Sequence, residues 1–359
     1  MMSRFLGMAA VALVFALPLV TAAAEAGAIE SVRVYYFGNS LTGNTMPPFH
    51  PELGQSAGKE WLVERSQGAG WQVWQHVYLD SARRHREKLA AGGFDAIVVQ
   101  PFGGPAFHET VTQMWGKVHF GKPTDVGDLH CTAQLIRLLL EGNPEGRAIV
   151  YSDWPGMKIK VPEEQKELSR NLEHAAEWHQ IMEPFRKAFD YEKAWLTKYD
   201  AEAEKAKKPW LRHNATRDHD VQLMEGLKKL FPRLWEEGRL SLLPAGDVFL
   251  AIDRAARAGK VPGVARIGDF YTNGVHIRSG LPRYTVAATF YAVLFRDKPH
   301  RLDWRVYDDR AKYRNKPGRW ICCEKDLGVD LEITTERARA VNDIIWEVVR
   351  GHPYTGVEQ

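Results

Sequence analysis

The chain has 359 residues, with 48 lysines and arginines against 45 aspartates and glutamates, for a formal net charge of +3. That balance excludes the global positive field of a nucleic-acid-binding chain. The 3 cysteines exclude a disulfide-built scaffold.

The first segment reads as an export signal. Arg4 precedes the apolar run "FLGMAAVALVFALPLVTAAA", and Ala22, Ala24 and Ala26 offer small-x-small cleavage spacing. Pro18 interrupts the run and no other long apolar stretch follows, so a signal peptide over residues 1–28 is expected rather than a permanent membrane span. The remainder, 29–359, is expected to be one periplasmic or secreted domain.

Five short apolar runs follow that end in glycine, proline or polar loops: "SVRVYYFGNS" (31–40), "WLVERSQGAG" (61–70), "FDAIVVQPFGG" (94–104), "RAIVYSDWPG" (147–156) and "RLSLLPAGDVF" (239–249). Runs of β-formers without polar alternation predict strands buried on both faces. Between them, 73–92 and 129–143 carry helical spacing, with Gly92 and Gly142 as stops. Strands alternating with helices predict an α/β fold, a parallel sheet covered on both sides.

The alternation lapses at about 162–234, a charged helical insertion carrying Trp178, Phe185, Phe189 and Trp195. These aromatics would line a packed face, or a lid with rings available to sugars. The last helix is expected over 334–351, with Thr334 as its cap and Gly351 as its stop. Cys322 and Cys323 are adjacent. A vicinal disulfide, a bridge to Cys131 and free thiols all stay open. His108, His119, His130 and "RDHD" (217–220) match no standard ligand spacing, so neither metal nor cofactor is expected.

In an open parallel sheet ligands bind beyond the carboxyl ends of the strands. Those ends supply Ser40, then Gly68 and Gly70, then Gln100, then Asp153, while His276 sits in a late loop before a helical stretch. Acyl transfer needs a hydroxyl nucleophile, a base and donors aimed at an oxyanion. Ser40 and His276 would supply the first two. The donors would be the Ser40 N–H, a glycine N–H and the Gln100 amide. Ordinary structural roles compete with each: a helix cap for Ser40, a backbone-bonded loop histidine, a turn glycine, and a glutamine binding main chain. Asn39 is expected to shape the turn through its own backbone.

"FGNSLT" resembles the first block of the SGNH/GDSL hydrolase superfamily, whose serine is the nucleophile, and "TNGVHIRSGLPRYTVAATFYAVL" is similar to its last block. "SQGAGW" resembles the block whose glycine lends an oxyanion N–H, matching Gly70. "FDAIVVQPFGG" resembles the third block, with Gln100 in place of the family's asparagine. The resemblance covers 31–156 and 240–296. It implies a three-layer α/β/α, flavodoxin-like fold and a secreted esterase using Ser40 and His276. The triad acid's place, three residues before His276, holds Asn273, which can orient an imidazole without adding charge. Asp269 and Asp153 are the carboxylates that could substitute. Exported members often deacylate polysaccharides, so a short acyl group on a carbohydrate is the expected substrate. A glycan binder without hydrolysis and an exported acyltransferase or lipase-type enzyme are the alternatives.

Overall fold

The computed structural model describes residues 29–101, 127–154, 216–271, 276–308 and 331–357. The expected signal segment, Asn273, the Cys322–Cys323 pair, His108, His119 and most of the 162–234 insertion lie outside them.

Every one of the five apolar runs forms a strand: β1 (Ser31–Gly38), β2 (Glu60–Gln67), β3 (Ala96–Val99), β4 (Arg147–Ser152) and β5 (Leu240–Pro244). They pair in the order β2-β1-β3-β4-β5, all parallel. Successive side chains of a strand face opposite ways, and both ways are buried here. Val32, Val34 and Tyr36 enter one core while Tyr35 and Phe37 enter the other. Apart from the edge strand β2, where Glu60 and Leu62 are exposed, the strands are covered on both faces, which is why their sequences lack polar alternation.

The first core is built with α1 (Ser40–Asn44), α2 (His50–Ser56), α8 (Ala245–Arg257), α9 (Leu281–Phe295) and α10 (Thr335–Gly351). The second takes α3 (Val73–Tyr78), α4 (Arg83–Ala90), α5 (Asp128–Gly142), α6 (Thr216–Leu230) and α7 (Pro232–Glu236). The result is a three-layer α/β/α sandwich. Cys131 is buried in the second core.

Two elements differ in detail from the sequence reading. The segment 73–92 is two helices, broken where Leu79 turns extended at ψ 137°. Arg86 donates to the carbonyls of His76 and Leu79, both at 3.0 Å, and so satisfies the acceptors exposed by the break. The stretch after Gly38, read as a turn, closes into the five-residue α1. The helical stretch expected after His276 is α9, and it has no exposed face: it is buried on all sides because it lies between the sheet and α10. Thr334 does cap α10, accepting from the Arg337 N–H at 3.3 Å.

This topology fixes where a ligand can bind. The chain runs outward from β1 to β2, then returns across β1 to β3. The crevice between the carboxyl ends of β1 and β3 is therefore the switch point at which such sheets hold ligands. Gly38-Asn39-Ser40 leaves β1 there, and Gln100 leaves β3 directly beside it, since Phe37 pairs with Val99.

Candidate active site

The local chemistry of β1's end begins with a glycine. A Cβ on Gly38 would come within 2.0 Å of Thr42 Oγ1 and 2.9 Å of Gln100 Oε1, so only hydrogen fits there. Asn39 then caps α1. Its side-chain oxygen accepts from the Leu41 N–H at 2.9 Å, the turn-shaping bond expected of it. Its amide nitrogen donates to the Trp71 carbonyl at 3.1 Å, which ties the β1 loop to the β2 loop. The cap is thus Asn39 and not Ser40, leaving the serine hydroxyl for another partner.

That partner is His276. Its Nε2 lies 3.0 Å from Ser40 Oγ, across 236 positions of sequence. Ser40 is only 9% exposed, and its backbone N–H at the start of α1 has no hydrogen-bond partner among the described residues.

The His276 loop is anchored beside the ring. Tyr271 and Ile277 form an antiparallel bridge, the Arg278 N–H donates to the Phe270 carbonyl at 2.8 Å, and the Arg278 side chain donates to the Tyr271 carbonyl at 3.0 Å. The Ile277 N–H donates to Asn44 Oδ1 at 3.3 Å. Asn44 lies four residues after Ser40, one helical turn along the same face of α1. A single short helix therefore holds both the serine and the loop that carries the imidazole. Sequence reading missed Asn44 because it took this stretch for a turn. Once the segment is helical, the i, i+4 spacing makes the pairing visible.

Burial, and then the Arg283 guanidinium, push the His276 pKa below its ordinary value. Both penalise the imidazolium, so the ring is neutral at neutral pH. A neutral ring can accept the serine proton.

Two of the sequence-predicted groups are engaged elsewhere. Asp269 accepts from the Ala265 N–H at 3.3 Å and pairs with Arg266 at 3.4 Å. Both of its carboxylate oxygens are thus engaged by its own turn. Gln100 lies in the switch-point crevice as expected, but its orientation differs from that of an amide donor aimed at substrate. Its oxygen accepts from the Asn39 N–H at 3.3 Å, the Thr42 N–H at 3.1 Å and the Thr42 hydroxyl at 2.6 Å. Its nitrogen donates to Asp153 Oδ2 at 3.2 Å. Asp153, the other carboxylate considered for His276, is 4% exposed and occupies this second role. Gly70 sits in the exposed loop after β2 with φ +66°. Among the described residues no group of three or more His, Cys, Asp or Glu side chains could hold a metal ion.

Deeper in the first core a polar chain supports α1 from its other end. Trp61 Nε1 donates to the Tyr36 hydroxyl at 3.1 Å, and that hydroxyl lies 2.9 Å from His50 Nδ1. His50 Nε2 and the Tyr307 hydroxyl both reach the Thr45 carbonyl, at 3.0 and 2.6 Å. Burial pushes the His50 pKa down to about 3, so this ring is neutral and its Nε2–H is the donor.

No protein-family model and no curated protein matches the chain. Solved structures give distant likenesses. A DUF4886 family protein from Bacteroides uniformis is 14% identical, with a TM-score of 0.46, over 89% of this chain and 95% of that one. A candidate SGNH hydrolase from Slackia heliotrinireducens is 15% identical, with a TM-score of 0.36, over 72% and 97%. A possible lipase from Chitinophaga pinensis is 15% identical, with a TM-score of 0.22, over 43% and 65%.

Proposed function

We propose that this chain is an ester hydrolase of the SGNH type, with Ser40 as nucleophile and His276 as general base. The observation that carries the reading is the 3.0 Å approach of His276 Nε2 to Ser40 Oγ at the switch point of the sheet. In the first step the imidazole takes the hydroxyl proton as Oγ attacks the acyl carbon. In the second the imidazolium returns that proton to the departing alcohol. Water then repeats the sequence on the acyl-enzyme. The unpartnered Ser40 N–H supplies one oxyanion donor, and the Gly70 N–H from the neighbouring loop supplies another.

Within this reading the substrate is a short acyl ester on a carbohydrate, and residues 1–28 direct export. Partial support for the first is the half-buried Trp71 ring on the β2 loop beside the site, a surface suited to a sugar face. A chain that binds glycans without hydrolysis is the second reading, favoured by the asparagine at position 273. Turnover separates them. Purified protein is mixed with p-nitrophenyl acetate and then with acetylated xylan, pectin and triglyceride. Release of nitrophenolate that Ser40→Ala abolishes supports the hydrolase. Glycan binding with no turnover supports the binder. Sequencing the amino terminus of the exported protein tests the cleavage near residue 28.

A further inference from the structure

The proposed chemistry leaves unused a buried side chain that accepts three hydrogen bonds from the nucleophile's turn. Gln100 is 1% exposed, and the direction of its amide is set by its neighbours. The Asn39 and Thr42 N–H groups can only donate, so the atom facing them is the carbonyl oxygen. With the oxygen turned toward them, the nitrogen faces Asp153 and donates to its Oδ2 at 3.2 Å. A flipped amide would set donor against donor at one end and oxygen against oxygen at the other, deep in the protein, where unmade hydrogen bonds are most costly. The two ends lock each other.

The oxygen grips the turn on both sides of Ser40, at residues 39 and 42. We infer that Gln100 and Asp153 form a positioning clamp that sets the Ser40 hydroxyl and N–H in place, rather than a donor to the oxyanion. The inference rests on the reading of Ser40 as nucleophile. A one-ångström displacement of a reacting group is enough to cost about a hundredfold in rate. A clamp drawing on three strand ends, those of β1, β3 and β4, prevents it.

A charge swap tests it. Gln100→Glu keeps an oxygen toward the turn but sets a second carboxylate against Asp153. Adding Asp153→Asn restores one donor and one acceptor between the two positions, with the donor now on 153. The readout is the second-order rate at which a fluorophosphonate labels Ser40, with Asp153→Asn alone as the reference. A clamp predicts that Gln100→Glu slows labelling about tenfold or more. It predicts that the double variant recovers more than half of that loss on a logarithmic scale. A Gln100→Glu protein as fast as the parent, or a double variant recovering less, overturns it, because an oxyanion donor replaced by a carboxylate is not restored by a change at 153. Thr42→Val gives a second readout should Gln100→Glu fail to fold. Removing the hydroxyl that reaches Gln100 slows labelling roughly two- to tenfold, and an unchanged rate overturns the clamp. A parent chain that takes no label at Ser40 instead removes the nucleophile reading, and the clamp with it.

Discussion

The two halves of the site are held in different ways. The Ser40 turn is fixed from within: its glycine has no room for a side chain, its asparagine caps α1, and the Gln100 oxygen accepts from both sides of the serine. The His276 loop is fixed from its edges, by the Tyr271–Ile277 bridge and the Ile277–Asn44 hydrogen bond. A nucleophile must present two groups at once, hydroxyl and N–H, so its backbone needs dense restraint. A base presents one ring atom, and attachments in the residues beside it orient the ring.

That contrast can be broken at several points. His276→Ala removes the base while leaving the turn intact. It should lower kcat/KM on p-nitrophenyl acetate by about 10²–10⁴-fold with an unchanged thermal melt. Gly38→Ala attacks the turn itself. The added methyl overlaps the Thr42 hydroxyl, and overpacking of this kind costs about 1–3 kcal/mol of stability. Displacement of Ser40 should lower activity on the order of a hundredfold, read against the shift in Tm. Asn44→Ala removes one attachment of the His276 loop, and a smaller effect is expected, roughly tenfold in kcat with little change in KM. An effect on Asn44→Ala as large as on His276→Ala would mean that the loop has no other support.

Acidity sharpens the comparison further. On the proposed mechanism the rate requires neutral His276, whose pKa lies below the ordinary histidine value. The acid limb of kcat/KM should therefore have its midpoint below pH 6.5, with full activity at neutrality. A midpoint above 6.5 would mean that an anion stabilises the imidazolium. Stability follows a related rule on the turn side. Burial lowers His50 and His76 to about 3, so between pH 6.5 and 3 the unfolded chain binds more protons than the folded one. Each ring's stabilising contribution, fully present above pH 6.5, should fall by up to about 1.4 kcal/mol per pH unit across that window. Urea melts at pH 7, 5.5 and 4.5 measure it, and the loss should be smaller for a well-folded His50 replacement.

The fold was readable because its signal is local. Each strand but the edge strand β2 is a compact apolar run ending in a breaker, and burial on both faces leaves no alternation to confuse. Ser40 and His276 could be paired because motif and topology placed both at one sheet edge. What was hidden depends on who else is present. The direction of the Gln100 amide is decided by donors at 39 and 42 and an acceptor at 153, none adjacent in sequence. The ion pair of Asp269 with Arg266, three residues before it, was likewise not read from the sequence. Asn44 carried a usable signal, but only for a reader who took five residues around Ser40 for a helix, a length at which intrinsic propensity decides little.

The central claim is that the Ser40 hydroxyl is the reacting atom. Peptide mapping of the protein after treatment with a fluorophosphonate measures this directly, since attack forms an oxygen–phosphorus bond and expels fluoride. The account predicts a single phosphonylated residue, Ser40, and no adduct in the His276→Ala protein on the same timescale. An unmodified Ser40, or an adduct on any other residue, would contradict it.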